Sequence, residues 1–263
     1  MRVFGLLALA GAALLLAAAG TASGSVASIV TRDMFYSMLR QGHHGGRGGC
    51  DGGAFFYAYD AFVEAASTFR GFGTTGDQAT RRLLRADLPR NNRLLLGEAW
   101  EPGRRSVLRA RPHATHSVRH THTLSDPRFQ APIEHNYRRA GDALGLDLLD
   151  NPDLVSSDPV VAFKTAIWFW MTPRHGAQKT PSCHAVMTGG WRPSRRDDRR
   201  AGRLPGYGMT TNIMSGGLAC GKRHGTPQGS DRVWYYKRYC RLLRVRLGRN
   251  VACINQKPYG HGG

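Results

Sequence analysis

The stretch from Val160 to Met171 constrains this chain more than any other. It reads Val-Val-Ala-Phe-Lys-Thr-Ala-Ile-Trp-Phe-Trp-Met, nearly all apolar, and is entered through Asp158-Pro159, a helix start. A helix apolar on every side cannot lie on a surface and must be surrounded by other elements. It also falls short of the ~20 residues that span a bilayer. The chain must therefore build a shell around it. With 263 residues, 41% hydrophobic and 21% charged, it has enough material for a large domain with a core, and it is not a disordered tail.

The shell is read as helices. Residues 26–40 form a short lead-in capped by Thr31, with Met34, Phe35, Met38 and Leu39 at helical spacing. Tyr59 to Phe69 is a second helix, stopped by Gly71-Phe72-Gly73. Residues 205–217 start as a loop and run into a short helix, and Asp231 to Leu243 is a last amphipathic one. Strands do not alternate with helices and no repeat is present, so the fold class is mostly α.

The N-terminus speaks to compartment. Arg2, an apolar run from Val3 to Ala19 and small residues through Ala22 are the parts of a secretory signal peptide covering residues 1–22. The chain is expected to be secreted and soluble, with no membrane partner after cleavage. Five cysteines without a Cys-x-x-Cys pair exclude a disulfide-dense miniprotein and a zinc ribbon. His43 and His44 sit in a glycine-rich loop without acids or thiols at ligand spacing, and read as solvated rather than as metal ligands. No metal and no cofactor is expected. Lys plus Arg number 37 against 18 Asp plus Glu, a formal charge of +19. No nucleic-acid motif accompanies these cations, so nucleic acid is not an expected partner.

Residues 81–131 stand apart. They hold 11 Arg, no Lys and the acids Asp87, Glu98, Glu101 and Asp126, and neither the helical nor the strand period persists there. No fold is assigned to them. This composition suits a reading-frame slip or a mispredicted exon in a GC-rich gene over residues 83 to about 133, which the transcript would reveal.

Long ordered motifs flank that segment. Cys50-Asp51-Gly52-Gly53-Ala54-Phe55-Phe56-Tyr57 runs on to Phe62, and then Phe69-Arg70-Gly71-Phe72-Gly73-Thr74-Thr75-Gly76-Asp77 follows. Downstream lie Val161-Ala162-Phe163-Lys164-Thr165-Ala166 with the Trp-rich end, Pro205-Gly206-Tyr207-Gly208, Thr211-Asn212-Ile213 and Tyr236-Lys237-Arg238-Tyr239-Cys240. In these the chain resembles the plant-type chitinases of glycoside hydrolase family nineteen, in a form without the hevein-like module, over residues 26–82 and 136–263.

The resemblance implies a two-lobed, lysozyme-like domain over residues 26–263, with a cleft for chitin or chitooligosaccharide, acting as a monomer outside the cell or in the vacuole. It implies an endochitinase that cuts β-1,4-linked N-acetylglucosamine with inversion, using two carboxylates ~6.5–9.5 Å apart. The ungapped place of the family's acid falls on Leu95, so no catalytic residue is identifiable. Glu98 and Glu101 are close in sequence but lie outside the motif. Asn136, Tyr137, Lys164 and Arg232 keep family types and are the expected substrate-binding residues. Ser215 stands where Asn is usual and Ala219 where Glu is usual. The resemblance also implies a Cys220–Cys253 disulfide, leaves Cys50 without its usual partner, and makes Cys183 and Cys240 buried thiols. A chitinase-like protein that holds chitin without cutting it is the alternative.

Overall fold

The computed structural model describes residues 25–39, 57–74, 127–174 and 179–259. The signal-like residues 1–22, His43, His44, Cys50, Leu95, Glu98 and Glu101 lie outside the described residues. Among the described residues the structure is helical, with no strand and a lone antiparallel bridge between Arg174 and Thr180.

The apolar stretch is the central helix. Asp158 accepts from the backbone N–H of Val160 (2.8 Å) and Val161 (3.1 Å), and Pro159 occupies the first turn, where its missing N–H costs nothing. The helix ends at Met171, ahead of Pro173, which cannot continue it. We number the helices α1 (Arg32–Leu39), α2 (Tyr59–Ser67), α3 (Pro127–Leu144), α4 (Leu154–Ser157), α5 (Pro159–Met171), α6 (Cys183–Met187), α7 (Tyr207–Ala219) and α8 (Pro227–Leu242). The central helix α5 packs against α2, α3, α4 and α6, so four different elements cover its sides. Phe163 meets Phe62 at 5.5 Å, Tyr57 at 5.8 Å and Phe35 at 6.1 Å between ring centroids. Trp170, Met209 and Ile213 extend the same core toward α7.

Several boundaries differ from the sequence reading. The last helix begins at Pro227, four residues before Asp231, because Thr226 caps it by accepting from Gly229 N–H (3.1 Å) and Pro227 fits its first turn. Helix α3 is not read in the sequence at all; it starts at Pro127, inside the stretch that shows no helical period. Helices α4 and α6 are each a single turn, too short for any period to register.

The first and last helices are tied by one side chain. Arg238 of α8 donates to the carbonyls of Ser37 (2.7 Å) and Met38 (3.2 Å) in the final turn of α1. Those carbonyls have no partner within their own helix, and a guanidinium there also suits the negative end of the helix dipole.

Phe163 is fully buried (0% exposed) where α1, α2 and α5 meet. Phe163→Ala is expected to cost about 3–5 kcal/mol, read as a lower midpoint in urea unfolding with an unchanged slope.

Candidate active-site helices

Asn136 and Tyr137 come from α3, Lys164 from α5 and Arg232 from α8. The contact of α3 with α5 brings the first three onto one helix pair, whereas Arg232 belongs to the contact between α7 and α8. Helix α6 packs on both α5 and α7 and joins the two groups. Its own start is held by Ser182, whose hydroxyl accepts from Ala185 N–H at 3.0 Å.

Tyr137 faces an apolar cluster of Ala140, Leu148, Val155, Val161 and Trp168. Its hydroxyl is buried without a hydrogen-bond partner, and burial, with the negative charge of Asp153 added, pushes the phenol up to about 12. Packing, more than polar contact, therefore fixes this ring. Asn136 and Lys164 are half-buried.

Arg232 is 7% exposed and lies beneath the surface. Its Nε donates to Thr211 Oγ1 at 3.0 Å, its Nη2 lies 3.4 Å from Met214 Sδ, and its guanidinium sits 5.4 Å from the Tyr207 ring centroid. Tyr207 in turn stacks on Tyr236 at 3.9 Å and 10°. The guanidinium thus locks α8 to α7 through hydroxyl, sulfur and ring at once, a set that suits the planar fork of arginine and not lysine.

The stretch 211–220 is tied to the C-terminal segment by side-chain hydrogen bonds and a disulfide. Asn212 Nδ2 donates to Gln256 Oε1 and to the Lys257 carbonyl, both at 3.1 Å, and its Oδ1 accepts from Tyr259 N–H at 3.1 Å. A single buried amide therefore binds the C-terminal segment across α7. A Cβ at Gly216 would collide with Asn212 Oδ1, so a side chain there would displace this amide. Helix α7 is broken at Ser215, whose φ of −145° and ψ of 35° are not helical. Beyond the break, Ala219 is buried with Cys220 and Cys253, which form a disulfide with 5.0 Å between their Cα atoms. Cys183 and Cys240 are buried.

A cavity of about 350 Å³ opens beside this break. Thr211, Ala219, Thr226, Ser230, Trp234 and Lys237 contribute to its wall. Thr211 is the residue that holds Arg232, so the cavity adjoins the Arg232 cluster, and Ala219 places only a methyl group there. Sequence reasoning did not single out Thr211 or Asn212 as individual residues. Their signal is the Thr-Asn-Ile motif, and its physical meaning appears only when the C-terminal segment is seen crossing α7.

The family profile described as chitinase class I, that of glycoside hydrolase family 19, matches residues 29–88 and 119–253. The chain belongs to this family. It is 53% identical over 268 residues to chitinase 11 of Oryza sativa subsp. japonica, covering 98% of this chain and 99% of that one. It is 43% identical over 261 residues to a basic endochitinase of Vitis vinifera, covering 92% of this chain and 79% of that one. Among solved structures, a bacterial family 19 chitinase aligns with a TM-score of 0.54 at 26% identity, over 86% of this chain and 100% of that one. The fold is the helical, lysozyme-like fold of the family 19 chitinases, and this is a chitinase-type glycoside hydrolase. The profile is interrupted at residues 89–118, the stretch that holds Leu95, Glu98 and Glu101. Since the rice alignment spans nearly all of both chains, that stretch stands in place of family sequence and is not an added domain.

His184 of α6 supplies a pH test of the joint between the two helix groups. Burial lowers its pKa from the ordinary 6.5, and its Nδ1 is buried without a partner. Because the folded pKa is depressed, the unfolded chain binds a proton that the folded chain refuses, and stability falls as pH drops through 6.5. Between about pH 8 and about pH 5, wild type should lose more stability than His184→Gln, measured by urea unfolding at each pH.

Proposed function

We propose that this chain is secreted and acts on chitin in the breakdown of fungal cell-wall polymer, holding β-1,4-linked N-acetylglucosamine along the helices that carry Asn136, Lys164 and Arg232. The observation that carries this reading is the family match over residues 29–88 and 119–253, which includes all three residues. Their chemistry suits the substrate. A half-buried amide can donate to and accept from an N-acetyl group or a sugar hydroxyl, and a half-buried ammonium offers three donors. Arg232 is a positioning residue in this reading: it fixes Thr211 and Tyr207 beneath the sugar and does not touch it. The buried hydroxyl and apolar contacts of Tyr137 give it a similar supporting part, orienting Asn136 next to it in sequence.

The reaction proposed is inverting hydrolysis. One carboxylic acid, kept protonated by an apolar or like-charged setting, protonates the leaving oxygen, while a carboxylate on the other side of the sugar activates water. A second reading, a chitin-holding protein with little turnover, is favoured by one observation. The profile breaks off over the stretch that includes Leu95, and a leucine side chain can neither give nor take a proton.

Both readings are tested on the full secreted chain and on a version whose residues 83–133 are replaced by the corresponding segment of the rice relative. Both proteins should sediment with chitin. Asn136→Ala should weaken that binding several-fold, for the loss of one hydrogen bond worth about 0.5–1.5 kcal/mol. Oligosaccharide release should rise on replacement by orders of magnitude, since each acid–base group contributes about 10²–10⁴-fold. Absence of chitin binding overturns the proposal. Equal rates from the two proteins overturn the low-turnover reading and point to Glu98 or Glu101 as acids.

A further inference from the structure

The charge of this chain is not spread evenly. After Asp231 no acidic residue occurs up to Gly263, while the same stretch holds eight Lys and Arg. Two of them are committed inside the fold: Arg232 is buried against Thr211, and Arg238 caps α1. Four others lie close together at the end of α8 and in the loop that follows, at Arg241, Arg244, Arg246 and Arg249, and all four are exposed.

The backbone sorts this tract into inward and outward residues. Leu243 is buried and Val245 packs against two core clusters, so the apolar side chains turn in. Val245 N–H donates to the Cys240 carbonyl (2.9 Å), and the Leu247 carbonyl accepts from Tyr236 Oη (2.8 Å), pinning the loop to α8. Arg244 takes a left-handed conformation, with φ of 53°, at the turn out of the helix. Among the described residues the ion pairs are Arg32–Asp60 and Arg203–Asp198, and neither involves this tract. Four guanidinium groups are thus held at the end of α8 and on the ordered loop after it, exposed, and no ion pair among the described residues engages them.

We propose that this tract is a docking surface for an acidic polysaccharide, a polyuronate whose carboxylates recur along an extended chain. A guanidinium pairs a carboxylate through two parallel hydrogen bonds, and the exposed positions 241, 244, 246 and 249 offer several such forks within a short stretch of chain. The Cys220–Cys253 disulfide fits an oxidising compartment, where acidic polysaccharide, and not nucleic acid, is the polyanion at hand. A lipid surface fits less well, since Leu247 at 37% exposure is the one large apolar side chain the tract exposes, and an interfacial segment needs an apolar face. The choice of partner rests on the reading that the chain is secreted. Its function would be to retain the protein in a polyuronate-containing wall while chitin is met elsewhere on the molecule.

The test is sedimentation of the full secreted chain with polygalacturonate at about 50 mM and about 200 mM salt, with anionic phospholipid vesicles and duplex DNA as parallel arms. Variant one carries Arg241→Gln, Arg244→Asn, Arg246→Gln and Arg249→Gln, with Asn chosen to tolerate the left-handed backbone. Variant two removes equal charge from another exposed run, as Arg195→Gln, Arg196→Gln, Arg199→Gln and Arg200→Gln. Wild type should bind polygalacturonate in a salt-dependent manner. Variant one should lose at least about tenfold in affinity with a shallower salt dependence, and variant two should stay within about threefold. Equal losses in both variants would show that net charge alone acts and would overturn the proposal. So would absence of polygalacturonate binding by wild type, or tighter binding to vesicles or DNA. Chitin sedimentation of variant one is read in parallel and should be unchanged, so failure here is distinguishable from failure of the chitin reading.

Discussion

The fold depends on hiding the large apolar side chains of one helix from water. Each large apolar side chain of α5 that is fully buried contributes roughly 1.5–3 kcal/mol, and Phe163, Ile167 and Trp170 are all of this kind. A few such residues equal much of the ~5–15 kcal/mol by which a domain is stable. The helix therefore dictates its surroundings: α2, α3, α4 and α6 pack around its buried residues, while Lys164, Thr165, Trp168 and Phe169 stay half-buried. Lys164 lies on α5, Asn136 and Tyr137 lie on a helix packed against it, and the single turn of α6 relays the same support to α7. What would hold sugar is carried by what cannot be allowed to meet solvent.

The second group of residues is organised differently, by polar locks. Arg232 grips Thr211, Met214 and Tyr207, and Asn212 grips the C-terminal segment through three hydrogen bonds. Buried polar groups with complete partners specify one arrangement, and removing one partner leaves the other unsatisfied in a low-dielectric setting. The disulfide adds a covalent constraint at the end of the same helix. Ser215 is the break in α7, and Ala219 lines the cavity next to it.

How much was legible in the sequence follows from the strength of each local signal. The central helix was, since Asp158-Pro159 and a continuous apolar run have one physical solution. The mostly α class and the start of α1 at Thr31 were too, and Met34 N–H does donate to Thr31 Oγ1 at 3.3 Å. The start of α8 was misread by four residues because Pro227 and Gly229 look like loop residues until Thr226 is recognised as a cap. Helix α3 was missed altogether, and its first residues lie in the arginine-rich stretch, where no period can be read. Arg232 carried the family's type in the sequence, but its burial did not show, because an arginine's surroundings depend on α7, which lies some 20 residues away. Long motifs revealed the family, and where they fall on described residues they hold core side chains such as Phe62, Phe163 and Asn212.

The central claim is that a buried α5 supports a sugar-holding surface on α3, α5 and the α7–α8 pair. Hydrogen exchange of the full chain, read peptide by peptide with and without chitohexaose, tests it most directly. The account predicts that residues 159–171 exchange only through global unfolding, and that the sugar slows exchange around Asn136, Lys164 and residues 211–216 while leaving the loop at residues 244–249 unchanged. Rapid exchange in residues 159–171 of the free protein, or a chitohexaose effect confined to other parts of the chain, would contradict it.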